Sequence, residues 1–329
     1  MCLPLASAMT RTRRLTLAIL LLLCPAAMDA RAEGPPGFGP GFQAHWHDGH
    51  AELAGYRLTF PRYGVDRQGS AVAVTVTEPF LVSPRVKNEG DPATEGSFGV
   101  VKLNLMEDFP TGVYDYNLMT SVFVNTEPIA GLPAGSVVKN VFSSQEWCGQ
   151  VFQQAVFEED HVRFESFSYF QREADQDLRF DAEGGSLTED GLFLWARGLA
   201  GPEVSPGGAV ELPVFRGSVP VRLNHLEPGW DTATLFRAKD TRKLDTVLGP
   251  GTEVRSCKAR VTRGNGDTLT HTFLVEAAYP HRVVRMTRSD GYAADLIGVT
   301  RLPYWSLNGP EGQAKLAEFG LKPRARLAP

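Results

Sequence analysis

The chain has little cysteine, no long apolar run after its first two dozen residues, and no basic run interleaved with aromatics. Each absence removes a class of protein. Position 151, three residues after Cys148, is Val151, so the Cys-X-X-Cys spacing of a thioredoxin-type dithiol is excluded. The apolar run Leu15 to Leu23 falls well short of the roughly 20 residues that span a bilayer, and no later run reaches that length. Without a basic stripe there is no footprint for nucleic acid and no cationic face for an anionic membrane. The formal net charge is −5. G-x-S-x-G and phosphate-loop motifs are missing, and Ser136-Val137-Val138-Lys139 matches S-x-x-K without its companion motifs. Nothing in the sequence calls for a cofactor.

What is present begins with an export signal. Arg11, Arg13 and Arg14 precede the apolar run, and Ala30-Arg31-Ala32 offers an A-x-A cleavage site, so residues 1–32 read as a secretory signal peptide. The start codon could correspond to Met1 or to Met9, directly before the arginines. The expected location is periplasmic or secreted. Cys24, after Leu21-Leu22-Leu23, raises an alternative in which a lipid anchor holds the chain in the outer membrane, although a lipoprotein site favours a small residue where Leu23 stands. Loss of the leader, which carries four Arg and one Asp, leaves the exported chain more acidic.

Residues 33–45 are rich in Pro and Gly and read as a linker, with a single domain over residues 46–329. Short alternating runs bounded by turn residues dominate that domain. Ala51 to Phe60, Ser70 to Thr77, Val100 to Leu105, Val137 to Phe142, Gln150 to Phe157 and Val162 to Phe170 read as strands. So do Leu192 to Arg197, Val219 to Leu223, Glu253 to Thr262, Thr268 to Glu276, Val283 to Thr287 and Ala293 to Arg301. Gly264-Asn265-Gly266-Asp267 and Ser289-Asp290-Gly291 supply hairpin turns. Residues 107–122 read as an irregular turn or brief helix, and residues 84–97 and 198–212 as surface loops. A short helix is expected at Pro310 to Phe319. The fold class is therefore mainly β: a large antiparallel sheet, curved or closed into a half-barrel or barrel, because so many strands in an open sheet would leave edges and an uncovered face.

Few residues single themselves out for chemistry. In an oxidising compartment Cys148 and Cys257 are candidates for a disulfide, worth about 4 kcal/mol across so long a loop. His45, His47 and His50, with Asp48 and Glu52, are the best metal candidates, but in an extended strand His45 and His47 share a face that His50 does not. Tyr114, Tyr116, Met119 and Phe123 could line an apolar cavity with a polar rim, and Glu146 and Trp147 lie in the dense segment Ser143 to Gly149. Glu107 and Asp108 are one of many carboxylate pairs able to serve as acid and base.

Several of these motifs occur together in a distinctive order. Trp46, Asp48-Gly49, Arg62-Tyr63-Gly64, Val76-Thr77-Glu78, Lys102-Leu103-Asn104, Thr111-Gly112, Met119-Thr120-Ser121-Val122-Phe123 and Ser143-Ser144-Gln145-Glu146-Trp147-Cys148-Gly149 resemble a group of uncharacterised exported bacterial proteins. More distantly, the strand-rich plan ending in Asp290-Gly291 and Pro303-Tyr304-Trp305 is similar to periplasmic β proteins of lipoprotein-carrier-like architecture. That resemblance implies an apolar groove in a curved sheet. The expected function is a non-enzymatic binder of an apolar ligand or an envelope component; the alternative is an exported hydrolase using Cys148, or a carboxylate, with a histidine.

Overall fold

The computed structural model describes residues 36–323. Alternation of apolar and polar residues produces fourteen strands. They are β1 (Ala51–Arg62), β2 (Val65–Leu81), β3 (Ser97–Pro110), β4 (Asp115–Asn125), β5 (Val137–Glu146), β6 (Gly149–Phe157) and β7 (His161–Ser168). The rest are β8 (Gln176–Asp181), β9 (Ala209–Phe215), β10 (Trp230–Thr246), β11 (Gly249–Thr262), β12 (Thr268–Glu276), β13 (Val283–Arg288) and β14 (Ala293–Leu302). All join one antiparallel sheet in the order β8-β7-β6-β5-β4-β3-β2-β1-β14-β13-β12-β11-β10-β9. Two meanders thus meet where β1 pairs with β14.

The sheet curls until its two ends approach each other. Phe157 of β6 packs edge-on against Phe215 of β9 and Trp230 of β10, and the Trp230 indole donates to the Asp181 carbonyl at the end of β8 (2.9 Å). The strands β8 and β9 are not paired with each other. Between them the chain dives inside. Leu187, Leu192, Phe193, Leu194, Trp195, Ala196, Leu199, Ala200 and Val204 are all buried, so residues 187–204 form a plug that fills the concave side. The plug contains α1 (Leu192–Ala196), and α2 (Ser218–Leu223) follows in the β9–β10 connection.

Both helices occupy stretches expected to be strands. Five apolar residues in a row have no period, so burial alone does not distinguish helix from strand there. Gly198 decides it. At φ 74° it accepts a left-handed turn, and Gly198 N–H bonds to Trp195 O (2.9 Å) while Leu199 N–H bonds to Leu194 O (2.9 Å). That pair of bonds closes a helix in the Schellman manner. In α2 Pro220 falls in the first turn, which tolerates a missing N–H better than a strand interior does.

Further corrections lie in what looked irregular. Residues 107–122 are the end of β3, a turn and most of β4, whose Tyr116, Leu118, Val122 and Val124 are buried on one face. Strands β8, β9 and β10 were not expected; β9 begins within the stretch read as a loop at 198–212. From Pro36 onward the supposed linker is folded: Pro36–Phe38 forms a 3-10 turn and Pro40–Trp46 a helix that buries Phe42 and Trp46 in the core. Apolar Phe38, Phe42 and Trp46 at spacing four are the signal its Pro and Gly content concealed. Pro310–Phe319 is helical, as a 3-10 segment.

That last segment straps the outer face. Phe319 is buried on β1 and β14 with Leu53, Val74 and Val76, and Leu316 packs beside it. Gly55 and Gly298, paired across β1 and β14, let the strap approach: a Cβ on Gly298 would lie 2.6 Å from the Phe319 carbonyl carbon. We expect Gly298→Ala to lift the strap and cost about 2 kcal/mol, the value of one exposed phenylalanine side chain. Phe319→Ala should cost a similar amount and the double variant little more, because both remove one contact. Urea unfolding of the three variants checks this; full additivity would contradict it.

Candidate functional site

In an alternating strand the inward positions are fixed by phase, and several polar residues fall on them. On β3, Leu103, Leu105, Glu107 and Phe109 share the inner face; on β11, Cys257, Ala259 and Val261 are followed in phase by Arg263. His271 precedes Phe273 in the same way on β12. These groups meet Glu189 and Asp190 of the plug. The Glu189 carboxylate accepts two bonds from the Arg263 guanidinium (2.8 and 2.9 Å), lies 2.9 Å from His271 Nε2 and accepts from Gly217 N–H (3.1 Å). Arg263 continues to Asp231 (2.5 Å), which Arg216 clasps through two nitrogens (2.9 and 2.7 Å). Asp190 accepts from Ser218 N–H (2.9 Å), Ser218 Oγ (2.8 Å) and Asn140 Nδ2 (2.8 Å).

Beside this network is a cavity of about 60 Å³, lined by Glu107, Thr120, Asp190, His271, Arg288 and Tyr292 among others. A water molecule needs about 10–15 Å³ on this measure, so the space suits a few waters and not an organic substrate. Burial, with the Glu107 carboxylate beside it, holds the Tyr292 phenol well above its ordinary range.

Burial pushes the Glu107 and Asp190 carboxyls above their ordinary range. Burial acts on Glu189 in the same direction, but the His271 and Arg263 bonds and charges outweigh it and hold that carboxyl well below the usual range. The signs of the pH dependence therefore differ. Glu189 stabilises the fold above the ordinary carboxyl range and loses that contribution as pH falls from there toward its depressed value. Glu107 takes up its charge reluctantly, so it weakens the fold as pH rises from the ordinary carboxyl value through the raised one. Glu189→Gln should cost about 3–5 kcal/mol near neutral pH, with less effect in acid. Glu107→Gln should stabilise near neutrality and do little in acid. Urea unfolding across pH reads both; parallel pH profiles for the two variants would contradict the assignment.

A second grouping lies at one end of the sheet. In a meander alternate hairpin tips share an end, so the turns after β1, β3, β5 and β7 are neighbours. They carry exposed aromatics: Tyr63 is 58% exposed, Trp147 73% and Tyr169 72%. The rings form a continuous path. Phe60, Phe109 and Tyr116 stack at 4.3 and 5.2 Å inside the sheet, Tyr114 lies 6.0 Å beyond, and Trp147 another 6.5 Å. Arg62 lies over Tyr63 (4.3 Å) and Tyr116 (5.3 Å) and donates to the Leu223 carbonyl (2.9 Å), joining the rim to α2. Burial and the Tyr63 hydroxyl 2.7 Å away push the Tyr116 phenol up to about 12. Tyr63 itself sits at φ 56°, where a bulky side chain is strained by about 1–2 kcal/mol.

The residues singled out in the sequence divide accordingly. Tyr114, Tyr116, Glu146 and Trp147 belong to the rim, and Glu146 accepts from Cys148 N–H (2.6 Å). Met119 and Phe123 belong to the outer face of β4, where Phe123 stacks on Phe80 at 4.9 Å; the period of two keeps them from sharing a cavity with Tyr116. Glu107 is buried on the inner face, and period two sends Asp108 to the other, so they do not form a pair of acid and base. Cys148 and Cys257 are both free: one is exposed in the β5–β6 turn, the other buried in the wall with its thiol 3.8 Å from the Ala196 carbonyl. The candidate disulfide between them is not formed. His45, His47 and His50 do not converge, and no metal-holding group of His, Cys, Asp or Glu occurs among the described residues. His45 packs on Trp46 and Tyr279, His47 on Phe42, and His50 lies 3.1 Å from the Asp48 carbonyl. The signal peptide and Cys24 lie outside the described residues.

A hydrogen bond and charge from Glu146 raise the Cys148 thiol above its ordinary value. This opposes its use as a thiolate nucleophile. Glu146→Gln should therefore speed its reaction with a disulfide reagent at neutral pH; an unchanged or slower rate would contradict the assignment.

The class defined by these features is a curled antiparallel sheet, plugged by its own chain and bearing an aromatic rim. No protein-family model and no curated protein sequence matches the chain, so the resemblance carried by the Ser143 to Gly149 segment gains no support from them. Among solved structures it is similar to a β-barrel-like protein, a domain of unknown function, from Brucella abortus. The two share 10% identity at a TM-score of 0.47, over 76% of this chain and 97% of that one. No helix among the described residues is long and apolar enough to cross a membrane.

Proposed function

We propose that the protein is an exported, non-enzymatic binding protein of the bacterial envelope, and that it binds through the rim formed by Tyr63, Tyr114, Trp147 and Tyr169. One observation carries the choice of surface: the concave side of the sheet, where an apolar ligand was expected, is filled by Leu187 to Val204. The cavity of about 60 Å³ beside that filling has no room for such a ligand. Large aromatics left in solvent while the interior is complete mark a contact surface. The tyrosine strained at φ 56° and pinned by Arg62 and Tyr116 supports the same reading, since strain of this kind collects at functional sites.

The hydrolase alternative has its carboxylate and histidine in Glu189 and His271, but both are buried and committed to Arg263 and to each other. Their arrangement ties plug to wall. Export is proposed from the leader sequence, and an exported chain beginning near Glu33 is its expected product.

The test places a photo-crosslinking residue at Val113, Trp147 or Tyr169 on the rim, or at Val247 on the opposite end, in the full chain expressed in bacteria. The expected result is a discrete crosslinked species from the envelope fraction for the rim positions alone. Equal crosslinking from Val247, or none from the rim, would overturn the proposal, and recovery of the chain in the cytoplasm would overturn its export.

A further inference from the structure

The rim includes an open groove between Trp147 and Tyr169, on the outer face at the tips of β5, β6 and β7. It is lined by Gln145, Glu146, Gln150, Phe167, Ser168 and Asp175 between those two rings. Tyr169 is held in place: a Cβ on Gly149 would lie 2.6 Å from its ring, so the ring rests on the bare backbone of the turn. Trp147 is steadied on the far side by Tyr114, 6.5 Å between centroids. Phe167, 55% exposed and paired across the sheet with Phe152, extends the apolar floor.

We propose that this groove binds a neutral oligosaccharide, with pyranose rings laid on Trp147 and Tyr169. This rests on the reading of the rim as the binding surface and names the class of ligand it takes. Donors and acceptors along the groove select the ligand class. The Glu146 and Asp175 carboxylates accept hydrogen bonds, whereas the carboxamides of Gln145 and Gln150 both donate and accept. The Gln145, Gln150 and Asp175 side chains make no hydrogen bond among the described residues. A proline-rich peptide also favours aromatic grooves, but it offers mainly carbonyl acceptors and brings the carboxylates no donors of its own. An anionic lipid headgroup is repelled by the carboxylates and finds no lysine or arginine lining the groove. An ammonium group suits the carboxylates but gives the amide N–H groups nothing to bond. Sugar hydroxyls donate and accept at once, and the C–H face of a pyranose is apolar enough to cover an aromatic ring.

The experiment titrates the full exported chain with cellotetraose and with chitotetraose, which separates a plain hexose from an N-acetylated one, and runs a proline decapeptide and phosphatidylglycerol vesicles as rivals. Tryptophan fluorescence and calorimetry are the readouts. Saturable binding of one sugar is expected, weakened about tenfold or more by Trp147→Ala and by Tyr169→Ala, as for aromatic anchors at other interfaces. Gly149→Ala, which displaces the Tyr169 ring without removing it, should weaken binding in the same direction, and Trp305→Ala at the other end should not. Urea midpoints of each variant confirm folding. Failure of both sugars to bind, preference for the peptide or vesicles, or binding indifferent to the Trp147 and Tyr169 changes would overturn the proposal. If neither sugar binds but rim positions still crosslink in the envelope, the sugar assignment falls and the rim reading stands. If both fail, the rim reading falls with it.

Discussion

The structure depends on a stretch of its own chain occupying the concave side of its sheet. Fourteen strands in one antiparallel sheet bring an inner face too large to cover by curling alone, and β8 and β9 do not pair to close it. The plug resolves both problems: Leu192 to Ala196 supply the apolar filling, and the chain enters through the unpaired seam. There Leu187 O and Glu189 N–H bond to the backbone of Phe215, at the end of β9, and Ser186 O accepts from Val137 N–H at the start of β5. A helix is the economical form for such a plug, because it satisfies its own backbone groups away from water.

Apolar burial holds the plug in but does not fix its position, and the buried charges do that. Glu189 meets Arg263 and His271 before α1, while just after that helix Arg197 forms a two-point bond with Glu52 of β1 (2.7 and 3.2 Å) and reaches the Pro280 carbonyl (3.2 Å). Removing two charges from water costs much of what their attraction returns, so such pairs add little net stability over apolar packing. Their directionality is the useful property. A plug displaced by one residue would bury both carboxylate sites unpaired, which is far more costly than a slipped leucine. The rim inherits this rigidity through Arg62, whose bond to Leu223 joins the β1–β2 tip to the helix beside the plug.

The sheet was legible because alternation needs only a short window. Ten of the twelve expected strands lie on observed ones; the two misread were Leu192 to Arg197 and Val219 to Leu223, where Gly198 and Pro220 held the evidence for helix. Strand β4 was hidden by the polar residues Asp115 and Asn117 on its other face, although Tyr116, Leu118, Val122 and Val124 kept the period. The rim was partly legible: Tyr114, Glu146 and Trp147 stand in dense aromatic and polar segments, but joining them to Tyr63 and Tyr169 requires knowing which hairpin tips share an end. The Glu189 network was not seen at all. Its members are separated by up to 82 positions, and only the inward phase of Arg263 and His271 on their strands hinted that they were charged groups facing a core.

The central claim is that the plug is a fixed part of the core and that binding occurs outside it. Native-state hydrogen exchange of the backbone amides from Leu194 to Leu199 tests it most directly. The account predicts that these amides exchange only through global unfolding, with the free energy measured by urea, and that an added long-chain fatty acid leaves them unchanged. Exchange through a lower-energy opening confined to the plug, or exchange accelerated by the fatty acid, would mean that the plug yields its place to an apolar ligand and would contradict the account.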